Sequence, residues 1–244
     1  MIPNCQLITS MDAQFLVFKG NDLVSNALRN GGYELDLHAM SDRILSQHTG
    51  YGKVLDIGAN LGSYCIPLAK KHPHIKFEAF EPQRIVNYQL CANIIINGLE
   101  NVNSYEVGLS DKEEVIELVM PDYTVEGNIG AFSIDKEVRD NEYECSSKGA
   151  TDELQLTTLD GLGYENIKLL KIDVEGHELE VLKGGIETIK RNNYPPIIFE
   201  ALTWKPWYQE KRTALFDYLK GHGYNIIEIG ENNIARHPDH EETK

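Results

Sequence analysis

The sequence predicts an α/β fold built on an open, mostly parallel sheet, and three observations carry that prediction. Short aliphatic runs alternate with helix-like stretches from Lys53 onward, as strand–helix–strand units require. Three of these runs stop on an acid, at Asp56, Glu81 and Asp173. The first opens through a glycine-bounded turn, Asp56-Ile57-Gly58-Ala59-Asn60-Leu61-Gly62, into a helix-like stretch from Ser63 to Lys71. In such sheets the ligand crevice lies at the carboxyl ends of the strands. The 244 residues suffice for one sizeable core with embellishments.

Residues 1–50 read as an extension over one sheet edge or the mouth of the crevice. It holds a short strand (Phe15 to Phe18), a Gly31-Gly32 turn and a helix from Met40 to Gln47 with Ser41 as its cap. Residues 51–236 form the main domain. Lys53–Ile57 is its first strand. Ile75–Phe80 is the second, ending on Glu81-Pro82, and proline suits the first turn of the next helix. That helix aligns Ile85, Val86, Leu90 and Ile94 and stops at Asn97-Gly98. Val102–Val107 is the third strand and Val115–Val119 an extra one.

The insertion over 121–155 is too long for a routine connection, and such loops are functional or disordered. Its charge-rich part, Asp135 to Glu144, reads as a solvated face. Ile167–Ile172 is the fourth strand, followed by one helix with Leu179, Leu182, Ile186 and Ile189 on a single face. Ile197–Phe199 is the fifth, ending on Glu200. A helix from Arg212 to Lys220 stops at Gly221 and Gly223, and Tyr224–Ile229 with Asn233–Arg236 makes a closing hairpin. Residues 237–244 read as a disordered tail with solvated His237 and His240.

Charge narrows the function. The chain has 23 basic against 38 acidic residues, a net charge of −15, whereas nucleic-acid binding depends on cations that release counterions from phosphates. No nucleic-acid partner is expected unless a local basic patch supplies one. A neutral small molecule such as a sugar meets no such objection. Cys5, Cys65, Cys91 and Cys145 are scattered without metal spacing and read as reduced thiols. The amino terminus lacks the pattern of a signal peptide and no run approaches the length of a membrane span, so a cytoplasmic location is expected.

The turn also speaks about the ligand. A dinucleotide fingerprint, G-x-G-x-x-G, uses its second glycine to bring the backbone against a pyrophosphate. Here the matching positions are Gly58, Asn60 and Ser63. An adenosine without phosphates fits better, and S-adenosylmethionine (SAM) is the common one. Glu81 stands where such folds place the acid that accepts both ribose hydroxyls; the alternative is a helix N-cap partner. Asp56 either contacts the cofactor or holds the turn by accepting its N–H bonds.

Asp173-Val174-Glu175-Gly176-His177 is the densest chemistry in the chain. Glu175 and His177 either act on substrate, cap the following helix or pair with each other. Lys171 lies on the same side of its strand as Asp173, with Glu200 as its expected salt-bridge partner from the neighbouring strand. That pair is either structural or catalytic.

These motifs resemble the FkbM-type methyltransferases. The resemblance rests on Asp56 to Gly62, Phe80-Glu81-Pro82, Gly108-Leu109-Ser110-Asp111 and Leu170 to Glu178, with Val181 to Gly185 behind them. Asn128-Ile129-Gly130, Ser133 and Leu159-Asp160 match the family's middle section. The similarity implies a class I SAM-dependent methyltransferase (Rossmann-like) fold with a seven-stranded sheet, strand order 3-2-1-4-5-7-6, and O-methylation of a sugar, glycan or other small-molecule hydroxyl. It implies Gly58, Ala59, Asn60 and Gly62 against the methionine part of SAM and Glu81, beside Pro82, on the ribose. It implies Leu109, Ser110 and Asp111 near the adenine and Asp173 to His177 around the reacting centre.

The catalytic reading favours Asp173 or His177 as base, with Glu175 and Glu200 orienting the acceptor. Asn128, Ser133, Lys171, Trp204 and Trp207 are candidates for the acceptor wall, the two tryptophans being equally readable as packing. The clustered carboxylates are also candidate ligands for a divalent ion. The rival readings are a methyltransferase for nucleic acid or protein, a non-catalytic SAM-fold subunit, and an NAD-dependent oxidoreductase, the last weakened by the absent glycines.

Overall fold

The computed structural model describes residues 4–20, 22–123, 132–142, 150–203 and 205–241. It opens with a hairpin, β1 (Cys5–Ser10) and β2 (Ala13–Phe18). Met11 and Asp12 close it with φ of 52° and 59°, the paired left-handed turn that matches strand twist. Helix α1 (Leu23–Arg29) follows, its N–H of Ser25 donating to the carboxylate of Asp22 at 2.9 Å. Helix α2 (Leu35–Leu45) starts before the expected Met40. Ser41 does not cap it: the residue is buried within the helix and its hydroxyl bonds the Tyr64 hydroxyl at 2.8 Å.

Strict alternation then begins with β3 (Gly52–Ile57), α3 (Cys65–Lys71), β4 (Ile75–Phe80), α4 (Arg84–Ile96) and β5 (Val102–Tyr105). Pro82 lies just before the N-cap Gln83 rather than in the helix's first turn. Besides its apolar stripe, α4 presents amides to β2. Asn93 Oδ1 and Asn97 Oδ1 accept from the N–H groups of Leu16 and Gln14, and Gln89 and Asn97 donate to the carbonyls of the same two residues. Those bonds satisfy backbone groups that a strand edge leaves open.

A second, three-stranded sheet has the order β6-β8-β7, with β6 (Gly108–Leu109), β7 (Glu114–Val119) and β8 (Thr151–Thr157), so the far end of the expected insertion is regular strand. Between β7 and β8, α5 (Lys136–Glu142) occupies the stretch expected to be a solvated face. Val138 on it is buried, and a Cβ added to Gly176 would lie 2.5 Å from its Cγ2.

The remaining elements are α6 (Leu159–Leu162), β9 (Ile167–Ile172), α7 (Glu178–Lys183), α8 (Ile186–Arg191), β10 (Ile197–Glu200), α9 (Gln209–Gly221), β11 (Asn225–Ile229), β12 (Asn232–Arg236) and α10 (Pro238–Glu241). The single helix expected after the fourth main strand is two, α7 and α8. They break at Gly184, where a Cβ would lie 1.9 Å from the carbonyl oxygen of Ser110. Residues 237–241 are ordered against the body, contrary to the expected loose tail. His237 is buried and stacks on Tyr194 with ring centroids 4.1 Å apart, and the His240 ring bonds the Asn193 carbonyl.

The central sheet runs β11-β12-β10-β9-β3-β4-β5. Numbered along the chain within this sheet and read from the β5 edge, that order is 3-2-1-4-5-7-6. Neighbours from β10 to β5 pair in parallel; β12 pairs antiparallel with β10 and with β11. Side chains alternate between its faces. Val54, Phe77, Leu169 and Ile198 pack with the amino-terminal segment and α3, whereas Leu55, Phe80, Leu170 and Phe199 pack with Val181, Ile189 and Leu215. Burial of each such side chain contributes roughly 1.5–3 kcal/mol, and coverage of both faces is what a parallel sheet requires. Asp56 and Lys171 are register partners on β3 and β9 and fall on the first of these faces.

No described helix is long and apolar enough to cross a membrane. Cys65 and Cys91 are free thiols, and Cys145 lies outside the described residues.

Candidate active site

A cleft of about 840 Å³ opens at the carboxyl ends of β3, β4 and β9. Its wall takes Ile57 to Asn60 from the turn after β3, Glu81 and Pro82 from the end of β4, and Lys171, Asp173 and Glu175 from β9 and its loop.

The turn is fixed by its backbone. Gly58 and Ala59 N–H groups donate to the Phe80 carbonyl at 3.0 and 2.9 Å, which locks the turn to β4. Gly58 has φ +84°, and a Cβ there would lie 1.8 Å from the Asp173 carbonyl oxygen. No larger residue tolerates both conditions. Gly62 does not reach the cleft wall; it lets the helix start pack against Ile66 and Leu90.

Glu81 is buried, its carboxylate taking N–H donations from Asn60 (3.0 Å) and Gln83 (2.9 Å). Burial raises its pKa to about 7 against the pull of those two bonds. Glu81 thus ties the turn to the helix start through the N–H of the N-cap residue Gln83, and it lines the cleft.

Asp56 is wholly buried behind the wall rather than part of it. Burial drives its carboxyl upward, opposed by Lys171, whose Nζ is 3.9 Å away. Lys171 Nζ also donates to Asp173 Oδ2 at 2.9 Å. Burial alone would lower Lys171, but Asp173, Asp56 and Glu34 hold it well above the ordinary range. Its partner is thus Asp173, not the expected Glu200. The two-residue spacing on one strand side places Asp173 nearer, although Lys171 faces Ile198 across β9 and β10.

Asp173, Glu175 and Glu200 bring carboxylate oxygens within 4.8 Å of one another, a spacing that could seat a cation. Glu175 and Glu200 are pushed well above the carboxylate range, first by burial and then by the charge of Asp173. Glu175 has φ 54°, a left-handed conformation that costs a non-glycine residue of the order of 1–3 kcal/mol. The Glu178 carboxylate holds that loop, accepting N–H bonds from Val174 (3.2 Å) and Gly176 (3.0 Å) and a hydroxyl bond from Tyr208 (3.1 Å).

His177 turns away from this group. Its Nε2 is hydrogen-bonded to Ser110 Oγ at 2.9 Å, its Nδ1 lies 3.9 Å from Glu180, and it does not line the cleft. Ser110 is buried in that contact and Asp111 is exposed, so of the expected adenine-side trio only Leu109 lines the cleft. Ser133 uses its hydroxyl to bond the Glu175 carbonyl at 2.5 Å, tying the insertion to the strained loop. Trp207 is part-buried beside the second core face, edge-on to Tyr208. Asn128 and Trp204 lie outside the described residues.

Six contributors escaped sequence reasoning. Glu178 sits one residue past the conspicuous cluster, and its buried clamp shows only in three dimensions. Leu23, Val24 and Tyr33 of the amino-terminal segment line the cleft. Beside them Glu34, which accepts from Asn232 Nδ2 at 3.2 Å, is raised by burial and by Asp173. His38 is held neutral, lowered to about 4 by burial.

The donor set fits an adenosyl sulfonium. A buried carboxylate (Glu81) suits a ribose diol, the turn lacks the glycines of a pyrophosphate cradle, and the far wall is rich in carboxylates that favour positive charge.

Known proteins agree with that fit. The model of the methyltransferase FkbM domain matches residues 56–226. "Methyltransferase sdnD" of Sordaria araneosa is 30% identical over 178 residues, 63% of this chain and 66% of that protein. The AMB antimetabolite synthetase AmbE of Pseudomonas aeruginosa is 29% identical over 202 residues, 71% of this chain and 9% of that protein. The chain thus spans two thirds or less of the length of these curated relatives. The crystal structure of a SAM-dependent methyltransferase from Agrobacterium tumefaciens matches with a TM-score of 0.52 at 9% identity, over 96% of this chain and 70% of that one. Glycine turn, strand-end acids and a domain match over more than half of the sequence coincide: the chain belongs to the FkbM methyltransferase family and has the α/β fold of the class I SAM-dependent methyltransferases.

Proposed function

We propose that this protein is a SAM-dependent O-methyltransferase acting on a hydroxyl of a sugar, glycan or other small molecule. The observation that carries the reading is that Glu81 and Asp173, on different strands, line one cleft. When bound, SAM supplies an electrophilic methyl carbon on a sulfonium.

The chain's own task is to position the acceptor and take its proton. Alignment of the reactants supplies roughly 7–11 kcal/mol in favourable cases. Asp173 is the base in this reading, since it lines the cleft and His177 does not. Lys171 anchors one carboxylate oxygen of Asp173. Glu175, which lines the cleft and is held toward its neutral form by burial and by Asp173, donates a hydrogen bond that orients an acceptor oxygen. Glu200, outside the cleft lining but within 4.8 Å of both, positions that carboxyl group. Lys171 is the one basic residue in the described cleft lining and is already paired with Asp173, so a polyanionic acceptor meets no cation there, which supports a neutral one over nucleic acid. A divalent ion on Asp173, Glu175 and Glu200 is the second reading, favoured by their mutual spacing.

Methyl transfer from SAM to a panel of saccharides and small alcohols, followed by mass spectrometry, tests the proposal. A methyl ether on an acceptor oxygen supports it. Methylation of RNA or protein alone would overturn the acceptor class, and absence of SAM affinity by calorimetry would overturn the enzyme reading.

A further inference from the structure

A second recess lies at the opposite edge of the sheet. It is a groove of about 2240 Å³ formed where β3 and β9 begin and β12 ends. Strands of this length separate it from the cleft by roughly 15–20 Å.

Its lining is unusual for a chain with net charge −15. Lys168, Arg191, Arg236, His48, His237 and His240 all line it, and among the described residues no carboxylate does. The stem of Lys168 is seated over Gly52, where an added Cβ would lie 2.5 Å from its Cγ. Arg191 donates to Thr188 Oγ1 at 3.0 Å. Asp239, 3.8 Å from His237 Nδ1, is an exposed acid beside the groove rather than in its wall. Lys168 and Arg191 are therefore held by packing and by a neutral partner, which leaves their charge to the recess. Walls of one sign at a low-dielectric recess concentrate counter-ions there.

We propose that this groove binds a phosphate-bearing small molecule, with Lys168 and Arg191 as principal contacts. His48, lowered first by burial and then by the charges of Lys168 and His240, is neutral there and offers ring nitrogens for hydrogen bonding rather than charge. The site goes beyond methyl transfer and shares no residue with the cleft.

The test is titration calorimetry of the full chain with sodium tripolyphosphate, and with ATP, at low ionic strength. Saturable binding is expected, weakened at least about tenfold in a Lys168→Gln/Arg191→Gln variant, with SAM affinity unchanged. The Lys168→Arg/Arg191→Lys variant should retain binding, which separates charge from folding. Three results would overturn the proposal: no saturable binding of either probe, equal affinity in the neutralised variant, or a short oligonucleotide that binds more tightly with a multi-ion salt dependence. The last would place a nucleic acid there instead.

Discussion

Asp56 and Lys171 face each other across β3 and β9, and the Lys171 ammonium stands 3.9 Å from the one carboxylate and 2.9 Å from Asp173. One buried cation therefore neutralises a wholly buried acid and positions an acid of the cleft wall. Removal of one member of such a group leaves uncompensated charge in the interior.

Lys171→Met should therefore destabilise the protein by about 3–5 kcal/mol, measured by urea unfolding. Asp56→Asn in the same chain should recover part of that loss. A change below about 1 kcal/mol would show that the charge group is not coupled as the geometry requires.

Gly58→Ala places a methyl against the Asp173 carbonyl in a backbone region closed to side chains. Calorimetry should find SAM binding weakened about 10- to 100-fold, equivalent to roughly 1.4–2.8 kcal/mol. Wild-type affinity would mean that the turn does not carry the cofactor.

The pH dependence follows from Glu81, raised from 4.5 to about 7 by burial. The folded protein prefers it protonated, so its contribution to stability is complete below pH 4.5 and lost as pH rises through about 7. SAM affinity moves the other way, because a ribose diol donates best to the ionised acid. Affinity should weaken about tenfold per pH unit below 7, and Glu81→Gln should bind weakly with a flat profile.

Glu178→Ala strips the Val174 and Gly176 N–H groups and the Tyr208 hydroxyl of their acceptor. The expected cost is about 1–3 kcal/mol in unfolding. Turnover should fall with SAM affinity intact, since the freed loop carries Glu175 and not the glycine turn. Loss of both parameters together would point to global damage.

Asp173→Asn should lower turnover by about 10²–10⁴-fold while SAM binding changes only severalfold. Activity should persist after exhaustive chelation, because Lys171 already supplies positive charge beside Asp173. Activity abolished by chelator and restored by a divalent ion would instead assign the three carboxylates to a metal.

The strands at Ile75–Phe80 and Ile167–Ile172 were readable to the residue, because a buried parallel strand is a local aliphatic run. The glycine turn was equally local, its spacing following from backbone freedom. The β1–β2 hairpin was half missed because its turn, Met11-Asp12, has no glycine to announce it. The break between α7 and α8 was hidden for a different reason: it answers to Ser110, far away in the chain.

The sequence by itself determined the alternating α/β plan, the turn after β3 and the acids that end the strands. Each depends on neighbours a few residues away. Only the tertiary structure decided that Lys171 serves Asp173 and Asp56, that His177 faces Ser110, and that Tyr33 joins the cleft. Such pairings depend on strand register and on which face a side chain leaves, and those are fixed when distant segments pack.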